Sequence, residues 1–158
     1  MTDAMLFEPD REALAEHTRL LCESYRHWTG LRLIEADSGS PEAVDELWQA
    51  PFAVASHDTQ DDPVFNYANR QALILFGMRN DEMIGLPSRY SAEPMAREER
   101  AGLLERVEKQ GYVNDYNGIR IAKGGLRFII RNAVVWNVVD ERGGYKGQAA
   151  LIRDWSPV

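Results

Sequence analysis

The sequence is short of cysteine, of long apolar runs and of basic N-terminal signals, and each shortage excludes a class of protein. Its single cysteine, Cys22, cannot form an intramolecular disulfide, which is typical of a reducing compartment. The longest apolar run, Ala72–Phe76, is far too short to cross a bilayer. The N-terminus shows no basic segment followed by an apolar one, so no secretory signal is visible. We therefore predict a cytoplasmic protein without a membrane partner.

Basic residues are also in deficit. The 158 residues include 18 Lys and Arg against 25 Asp and Glu, a formal net charge of −7. The deficit lies in residues 1–62, with 4 basic and 14 acidic side chains, whereas residues 63–158 carry 14 and 11. Neither part is basic enough to bind a phosphate backbone by itself, so we predict no nucleic-acid partner. The acidic front is interpreted as a solvated surface or as a surface for a basic partner.

The histidines do not form a metal-binding pattern. His17 and His27 lie on one predicted helix and His57 stands alone, so no Cys/His pair has the spacing of roughly two to four residues found in zinc sites. We predict no metal site. His17 and His27 are expected at the surface or at an interface.

Ser56, His57 and Asp58 are the residue types of a hydrolase triad, but they are consecutive. Adjacent side chains of a strand point to opposite faces, whereas a triad needs one hydrogen-bonded line. We therefore predict no catalytic residue. His57 is expected either to fix the turn together with Asp58 or to make a polar contact at the mouth of a pocket.

Apolar spacing predicts an N-terminal helix over residues 11–28. Its apolar residues recur every three or four positions and form one stripe. The stripe consists of Leu14, Thr18, Leu21, Tyr25 and Trp28. After a break, Ser40 and Pro41 predict the start of a short helix that runs to about Trp48.

The rest of the chain predicts two short strands, a helical middle and three longer strands. In the middle, Asn69 is predicted to cap a helix through Phe76, Asn80 or Asp81 to cap a single turn, and residues 95–110 to form an amphipathic helix. Glycine-containing loops of the observed lengths join antiparallel neighbours, so the class is α+β. The strands are expected at Phe52–Ser56, Val64–Tyr67, Tyr112–Ala122, Leu126–Val139 and Tyr145–Asp154.

This order of elements resembles that of a PAS domain. A narrower resemblance rests on the segments Ala50–Asp58, Asp62–Asn69, Leu86–Glu93, Tyr116–Arg120, Ala133–Trp136 and Gly147–Ala150. Together these segments resemble the PAS-related MEKHLA family. The resemblance covers nearly the whole chain, although the hexapeptide that gives the family its name is absent.

The resemblance implies a five-stranded antiparallel PAS-like sheet with inserted helices. Residues 41–158 would form this domain and residues 1–40 an N-terminal helical extension. The family occurs alone in bacterial proteins and at the C-terminus of plant homeodomain–leucine-zipper transcription factors. No homeodomain or leucine zipper is visible in this sequence, so we do not expect the DNA-binding role of the plant proteins.

The PAS resemblance also allows cofactors to be compared with residues. A light-oxygen-voltage photosensor needs a reactive cysteine in the helical middle, and a haem-binding PAS domain usually supplies a histidine there. Residues 69–110 contain neither. We therefore predict no cofactor, neither haem nor a covalent flavin adduct, while a small non-covalent ligand remains open.

Several residues are candidates for contact with such a ligand. Arg89 and Tyr90 lie where PAS pockets often open, and an arginine there could hold a carboxylate, or instead pair with Glu93 or Asp115. Arg120 and Arg131 are alternatives to Arg89 with the same ambiguity. On the long strand, alternation places Asn132 and Trp136 on the same face as the apolar residues, where a buried Asn would need a partner. A β-bulge would remove this argument, and the direction of Gln148 is undecided.

We therefore predict a non-catalytic sensory module that binds a small molecule between sheet and helices, or a protein partner, and acts through an unknown downstream protein. The alternatives are a small enzyme, with His57 and either Asp58 or Asp115 as its acid–base pair, and a dimerisation module with a filled core. The helix stripe either covers the sheet of its own chain or forms a homodimer contact, and the prediction favours the dimer. Its interface residues would be Leu14, Leu21, Tyr25 and Trp28.

Overall fold

The computed structural model describes residues 11–92 and 97–158. Residues 1–10 of the predicted N-terminal extension lie outside the described residues. So do residues 95–96, the start of the amphipathic helix predicted over residues 95–110. Ser88–Ser91 forms one short 3-10 helix. The helices are α1 Arg11–Thr29, α2 Pro41–Gln49, α3 Arg70–Phe76, α4 Asn80–Met83 and α5 Arg97–Gln110. The strands are β1 Ala53–His57, β2 Phe65–Ala68, β3 Tyr112–Ile121, β4 Arg127–Val139, β5 Tyr145–Ile152 and β6 Asp154–Pro157.

One antiparallel sheet contains all six strands of the described ranges. Its order is β2-β1-β5-β4-β3, and β6 pairs with the first half of β4. The α+β, PAS-like class is confirmed, but the expected strand number of five is too low. The predicted last strand is interrupted at Arg153, and the chain beyond it pairs again along Phe128–Arg131.

Helices cover both faces of this sheet. α1 and α2 pack on one face, while α3, α4 and α5 lie on the other. Leu21 is fully buried and Tyr25 is nearly so, and Trp28 donates an indole hydrogen bond to the Asn137 carbonyl at 2.9 Å. The predicted homodimer contact of Leu14, Leu21, Tyr25 and Trp28 is therefore wrong, because the stripe packs against the sheet of its own chain.

His17 is half-buried beside this layer, although the sequence placed it at the surface or an interface. Its Nε2 lies 2.9 Å from the Ser56 hydroxyl, and its ring lies 5.7 Å from that of Tyr67. The Ser56 hydroxyl donates to the side-chain Oδ1 of Asn66 at 2.6 Å, so it accepts from His17. Burial lowers the pKa of His17 to about 4, and its imidazole is therefore neutral near pH 7.

Asn69 holds three elements together from a fully buried position. Its Oδ1 accepts from the backbone N–H groups of Val54 at 2.9 Å and Ala72 at 3.1 Å, which caps α3 as predicted. Its Nδ2 donates to the carbonyls of Leu47 at 3.0 Å and Phe52 at 2.9 Å. Asn69 thus ties α2 and β1 to the start of α3, a wider role than the cap that the sequence predicts. The single turn α4, by contrast, begins after Arg79, whose N–H is bound by the Glu82 carboxylate, and not after the predicted Asn80 or Asp81.

The strand β4 contains a β-bulge at Asn132. Asn132 has a φ of 51°, and the β3–β4 register shifts beside it. Asparagine tolerates this left-handed conformation better than most residues do. The bulge reverses the alternation, so Ala133 and Val135 continue the face of Ile130, and Trp136 turns to the face under α1.

Within the described ranges, no helix is both long enough and apolar enough to span a membrane.

Candidate functional site

A cavity of about 80 Å³ lies between the sheet and α5. Strands β1, β3, β4 and β5 form its floor, and α3, α5 and the short 3-10 helix border it. Most of its lining is apolar, with a few polar side chains among them, as is usual for small-molecule sites. The polar lining residues are Ser56, His57, Ser91, Tyr116, Arg120 and Gln148. The Ser56 hydroxyl, however, is bound to His17 and Asn66 on the α1 side of the sheet.

Arg120 reaches this cavity from β3 and is 8% exposed. Its guanidinium carbon lies 5.0 Å from the centre of the Tyr116 ring, and its Nη1 donates to the Ile119 carbonyl at 3.3 Å. Burial lowers the pKa of Arg120, and the neighbouring Tyr116 opposes that shift. Within residues 11–92 and 97–158, no carboxylate forms an ion pair with this guanidinium.

Tyr116 reaches Arg120 because Gly118 stands between them on the same strand. A Cβ at Gly118 would overlap the Tyr116 hydroxyl. The missing side chain lets the tyrosine ring lie along β3 and contact the guanidinium four residues further on. Alternate residues of a strand share a face, so Tyr116, Gly118 and Arg120 form one unit.

Gln148 enters the cavity from β5 and is 3% exposed. Its Nε2 donates to the Leu104 carbonyl at 3.1 Å and to the Asn137 side-chain oxygen at 3.0 Å. Asn137 in turn donates to the Val107 carbonyl at 3.0 Å. Because backbone carbonyls only accept, both amide orientations are fixed. The Gln148 Oε1 is left buried, and it accepts no hydrogen bond from the described residues.

His57 lies at the end of β1, where Gly147 of β5 comes very close to it. A Cβ at Gly147 would overlap the His57 carbonyl oxygen. His57 Nδ1 lies 2.9 Å from the Asp58 carbonyl, which can only accept, so Nδ1 carries the proton. The Asp58 carboxylate instead binds the N–H groups of Val64 and Gln60 in the turn. His57 therefore both lines the cavity and lies beside the turn that Asp58 fixes, and its contact with a ligand stays a prediction.

The other predicted ligand contacts lie outside the cavity. Asn132 is exposed at the bulge, and Trp136 is buried on the opposite face, so the alternation that placed them together is wrong. Arg89 is bound to Asp62 at 3.0 Å, and its guanidinium stacks on Tyr90 at 4.4 Å from the ring centre. Tyr90 is 46% exposed.

One of the two alternative partners predicted for Arg89 is bound elsewhere. Asp115 pairs with Arg106 at 3.4 Å, and Glu93 lies outside the described residues. The sequence offered no signal for Asp62, because the turn between β1 and β2 sets that contact. It offered a weak signal for Gln148, which is an amide within an otherwise apolar strand.

Metal and thiol chemistry find no support among the described residues. No group of three His, Cys, Asp or Glu side chains there could hold a metal ion. Cys22 lies in α1, in the core on the face of the sheet opposite the cavity. Burial raises the pKa of its thiol to about 12, so it is not a reactive thiolate.

The sheet order, with its helices inserted after the second strand, is that of a PAS domain, and solved structures agree. The PAS domain of a protein from Colwellia psychrerythraea superposes with a TM-score of 0.61 and 20% identity, over 72% of this chain and 93% of that one. A light-oxygen-voltage domain studied with a flavin analogue gives 0.59 and 18%, over 74% and 84%. The light-state dimer of the fungal blue-light photoreceptor Vivid gives 0.59 and 18%, over 86% and 91%. The chain therefore has a PAS-like fold.

Within that class, the family model of the MEKHLA domain matches residues 15–157. The chain belongs to the MEKHLA domain family, and the match includes most of α1. Homeobox-leucine zipper protein HOX9 of Oryza sativa is 26% identical over 94% of this chain, and ATHB-15 of Arabidopsis thaliana is 23% identical over 94%. The chain spans only 17% and 18% of the length of these relatives. The division of the chain at residue 40 stays a prediction.

Proposed function

We propose that this chain is a non-catalytic sensory module that binds a small molecule in the cavity under α5. One observation carries the proposal. The cavity brings together the buried guanidinium of Arg120, for which the described residues supply no carboxylate, and the buried Oε1 of Gln148, for which they supply no donor. Buried polar groups normally have partners, so a ligand that supplies them would be stabilised there.

The same residues suggest how binding would reach the rest of the molecule. Gln148 and Asn137 hold the Leu104 and Val107 carbonyls of α5 directly. A ligand that bonded to Gln148 would change the strength of this link and shift the position or the stability of α5. The output would then pass from the α5 surface to a downstream protein.

The contacts of His57 argue against the enzyme alternative. Its Nδ1 is bound to a backbone carbonyl, the Asp58 carboxylate is used in the turn, and Asp115 is exposed and paired with Arg106. The acid–base pairs that the sequence suggested are therefore not assembled at the cavity, although a general acid and base must lie close together to act on one substrate.

Two observations support a protein without flavin. The cavity volume is about 80 Å³, whereas sites for drug-sized ligands measure roughly 300–1,000 Å³. The only cysteine of the chain lies on the opposite face of the sheet, so it could not form an adduct. We propose a colourless protein, and a visible absorption spectrum of purified material tests this.

Self-association belongs to the proposal in a changed form. The stripe of α1 is buried in its own chain, so a homodimer would have to use another surface. Sedimentation velocity across micromolar concentrations tests for the dimer, and a single monomeric species at every concentration would exclude it.

Native mass spectrometry of protein purified from cells tests ligand binding. We expect a mass shift that disappears on mild denaturation. Ala133→Leu would place a larger side chain in the cavity wall and abolish the shift, whereas Ala101→Leu, on the exposed side of α5, would keep it. A protein without bound ligand, in which Ala133→Leu only raises stability, would instead support a dimerisation module without a ligand.

A further inference from the structure

Two buried groups of opposite kind face the same cavity. Arg120 offers a planar set of N–H donors and a full positive charge. One of these donors binds the Ile119 carbonyl. Gln148 offers the opposite, an acceptor oxygen without a donor among the described residues. A ligand that satisfied both would carry an anionic acceptor at one point and a hydrogen-bond donor at another.

The buried positive charge of Arg120 favours an anionic group on the ligand more strongly than the Gln148 oxygen favours a donor. A buried charge without a counter-ion is expensive, and a guanidinium cannot escape that cost by losing its proton. The Tyr116 ring offsets only part of the cost through its negative face. A planar carboxylate matches the geometry of the guanidinium and would supply the missing charge through two parallel hydrogen bonds.

Gln148 then decides what else the ligand must carry. Its amide orientation is fixed by Leu104 and Asn137, so its Oε1 cannot become a donor without breaking that network. A ligand hydroxyl can donate to it, whereas a second carboxylate would repel it.

The cavity volume sets the size. A buried water needs roughly 10–15 Å³ of comparable space, so 80 Å³ holds about five to eight water-sized atoms. The remaining walls are apolar and include Leu103, Ile130 and Val135, which suit a short carbon chain.

Resting on the function proposed above, we infer that the cavity binds a short hydroxycarboxylate of about two to four carbons, whose carboxylate is held by Arg120 and whose hydroxyl donates to Gln148.

Three probes of nearly equal size separate the two interactions. Sodium lactate carries both groups, propionate lacks the hydroxyl, and lactamide replaces the carboxylate with an uncharged amide. In isothermal titration calorimetry we expect lactate to bind, propionate to bind at least about fivefold more weakly, and lactamide at least about tenfold more weakly.

Matched variants assign the carboxylate contact. Arg120→Met should weaken lactate binding at least about tenfold, with an unchanged or higher melting temperature of the free protein, because it removes a buried charge. Arg131→Met is the control, since Arg131 pairs with Asp154 on the neighbouring strand and does not line the cavity. Arg120→Lys, which keeps the charge and loses the planar donor set, replaces the methionine variant if that variant does not fold, and it too should weaken lactate binding.

The outcomes separate this inference from the proposed function. Three results would overturn the inference that the cavity binds a hydroxycarboxylate. They are equal binding of the three probes, no binding of any probe at millimolar concentration, and lactate binding that is undiminished in both Arg120 variants. If native mass spectrometry then still showed a bound molecule of another class, the sensory module would stand without it. If lactate did not bind and native mass spectrometry showed no bound molecule, both the hydroxycarboxylate inference and the ligand-binding sensory module would be overturned.

Discussion

The indole Nε1 of Trp136 donates a hydrogen bond to the Ser24 hydroxyl at 3.0 Å. Trp136 is fully buried near the centre of β4, and Ser24 lies on the inner face of α1. The Ser24 hydroxyl donates a hydrogen bond to the Leu20 carbonyl at 2.6 Å. The Tyr25 ring packs edge to face against the indole, with the ring centres 5.0 Å apart. This bond joins α1 to the sheet, so the N-terminal helix is part of the fold's core.

Replacing Leu21 and Trp28 together with Asp should unfold the protein rather than separate a dimer. Both side chains pack on the sheet of their own chain, and each would place an unpaired charge there. We expect a loss of more than about 4 kcal/mol in the free energy of unfolding, measured by urea denaturation. Leu31→Asp, at a position 61% exposed, is the control. A folded, monomeric double variant derived from a dimeric wild type would contradict this prediction.

Gly111, directly after α5, should not tolerate even alanine. Its φ is 94°, and a Cβ there would overlap the six-membered ring of Trp28. Gly124 has a similar φ of 88° with open space around it, so Gly124→Ala measures the backbone cost alone. We expect roughly 1–2 kcal/mol for Gly124→Ala in thermal or urea unfolding, and a clearly larger loss for Gly111→Ala. Equal losses would show that Trp28 moves aside freely.

Asn69 should resist both conservative and small replacements. Asn69→Ala removes four hydrogen bonds to buried backbone groups, two from donors and two to acceptors, so we expect a loss of roughly 3 kcal/mol or more. Asn69→Asp keeps the acceptor for α3 but cannot donate to Leu47 and Phe52, so it should also destabilise. Asn114→Ala, at an exposed position of β3, is the control. Near-native chemical denaturation of Asn69→Asp would show that the donor contacts contribute little.

His17 should make the protein less stable in mild acid. Its pKa is lowered to about 4 by burial, while the unfolded chain titrates near 6.5. Between these values the unfolded state binds more protons, so the free energy of unfolding falls as the pH drops from about 6.5 towards 4, by up to roughly 3 kcal/mol. His17→Gln should flatten this part of the pH profile. His27→Gln, which removes an exposed imidazole from the same helix, is the control, and an equal effect of the two variants would exclude His17 as the cause.

The sequence predicts the elements of this fold well because they depend on local signals. Apolar spacing, the Asn69 cap and the glycine stops lie within a few residues of the features they set. The sequence predicts the site only in part, because side-chain direction on β4 depends on a bulge in its pairing with β3. Arg120 was found among equivalent arginines, whereas the fixed orientation of Gln148 depends on α5 and could not be read from β5 alone.

The backbone angle of one exposed residue decides what the interior contains. If Asn132 adopted an ordinary extended conformation, the second half of β4 would turn over, and Val134 and Trp136 would face α5. The large indole would then occupy the space that now borders Ala133 and Val135. A β-branched residue at position 132 would disfavour the positive φ and favour that arrangement. A substitution at position 132, which does not line the cavity, could therefore exchange an open cavity for a filled core among related chains.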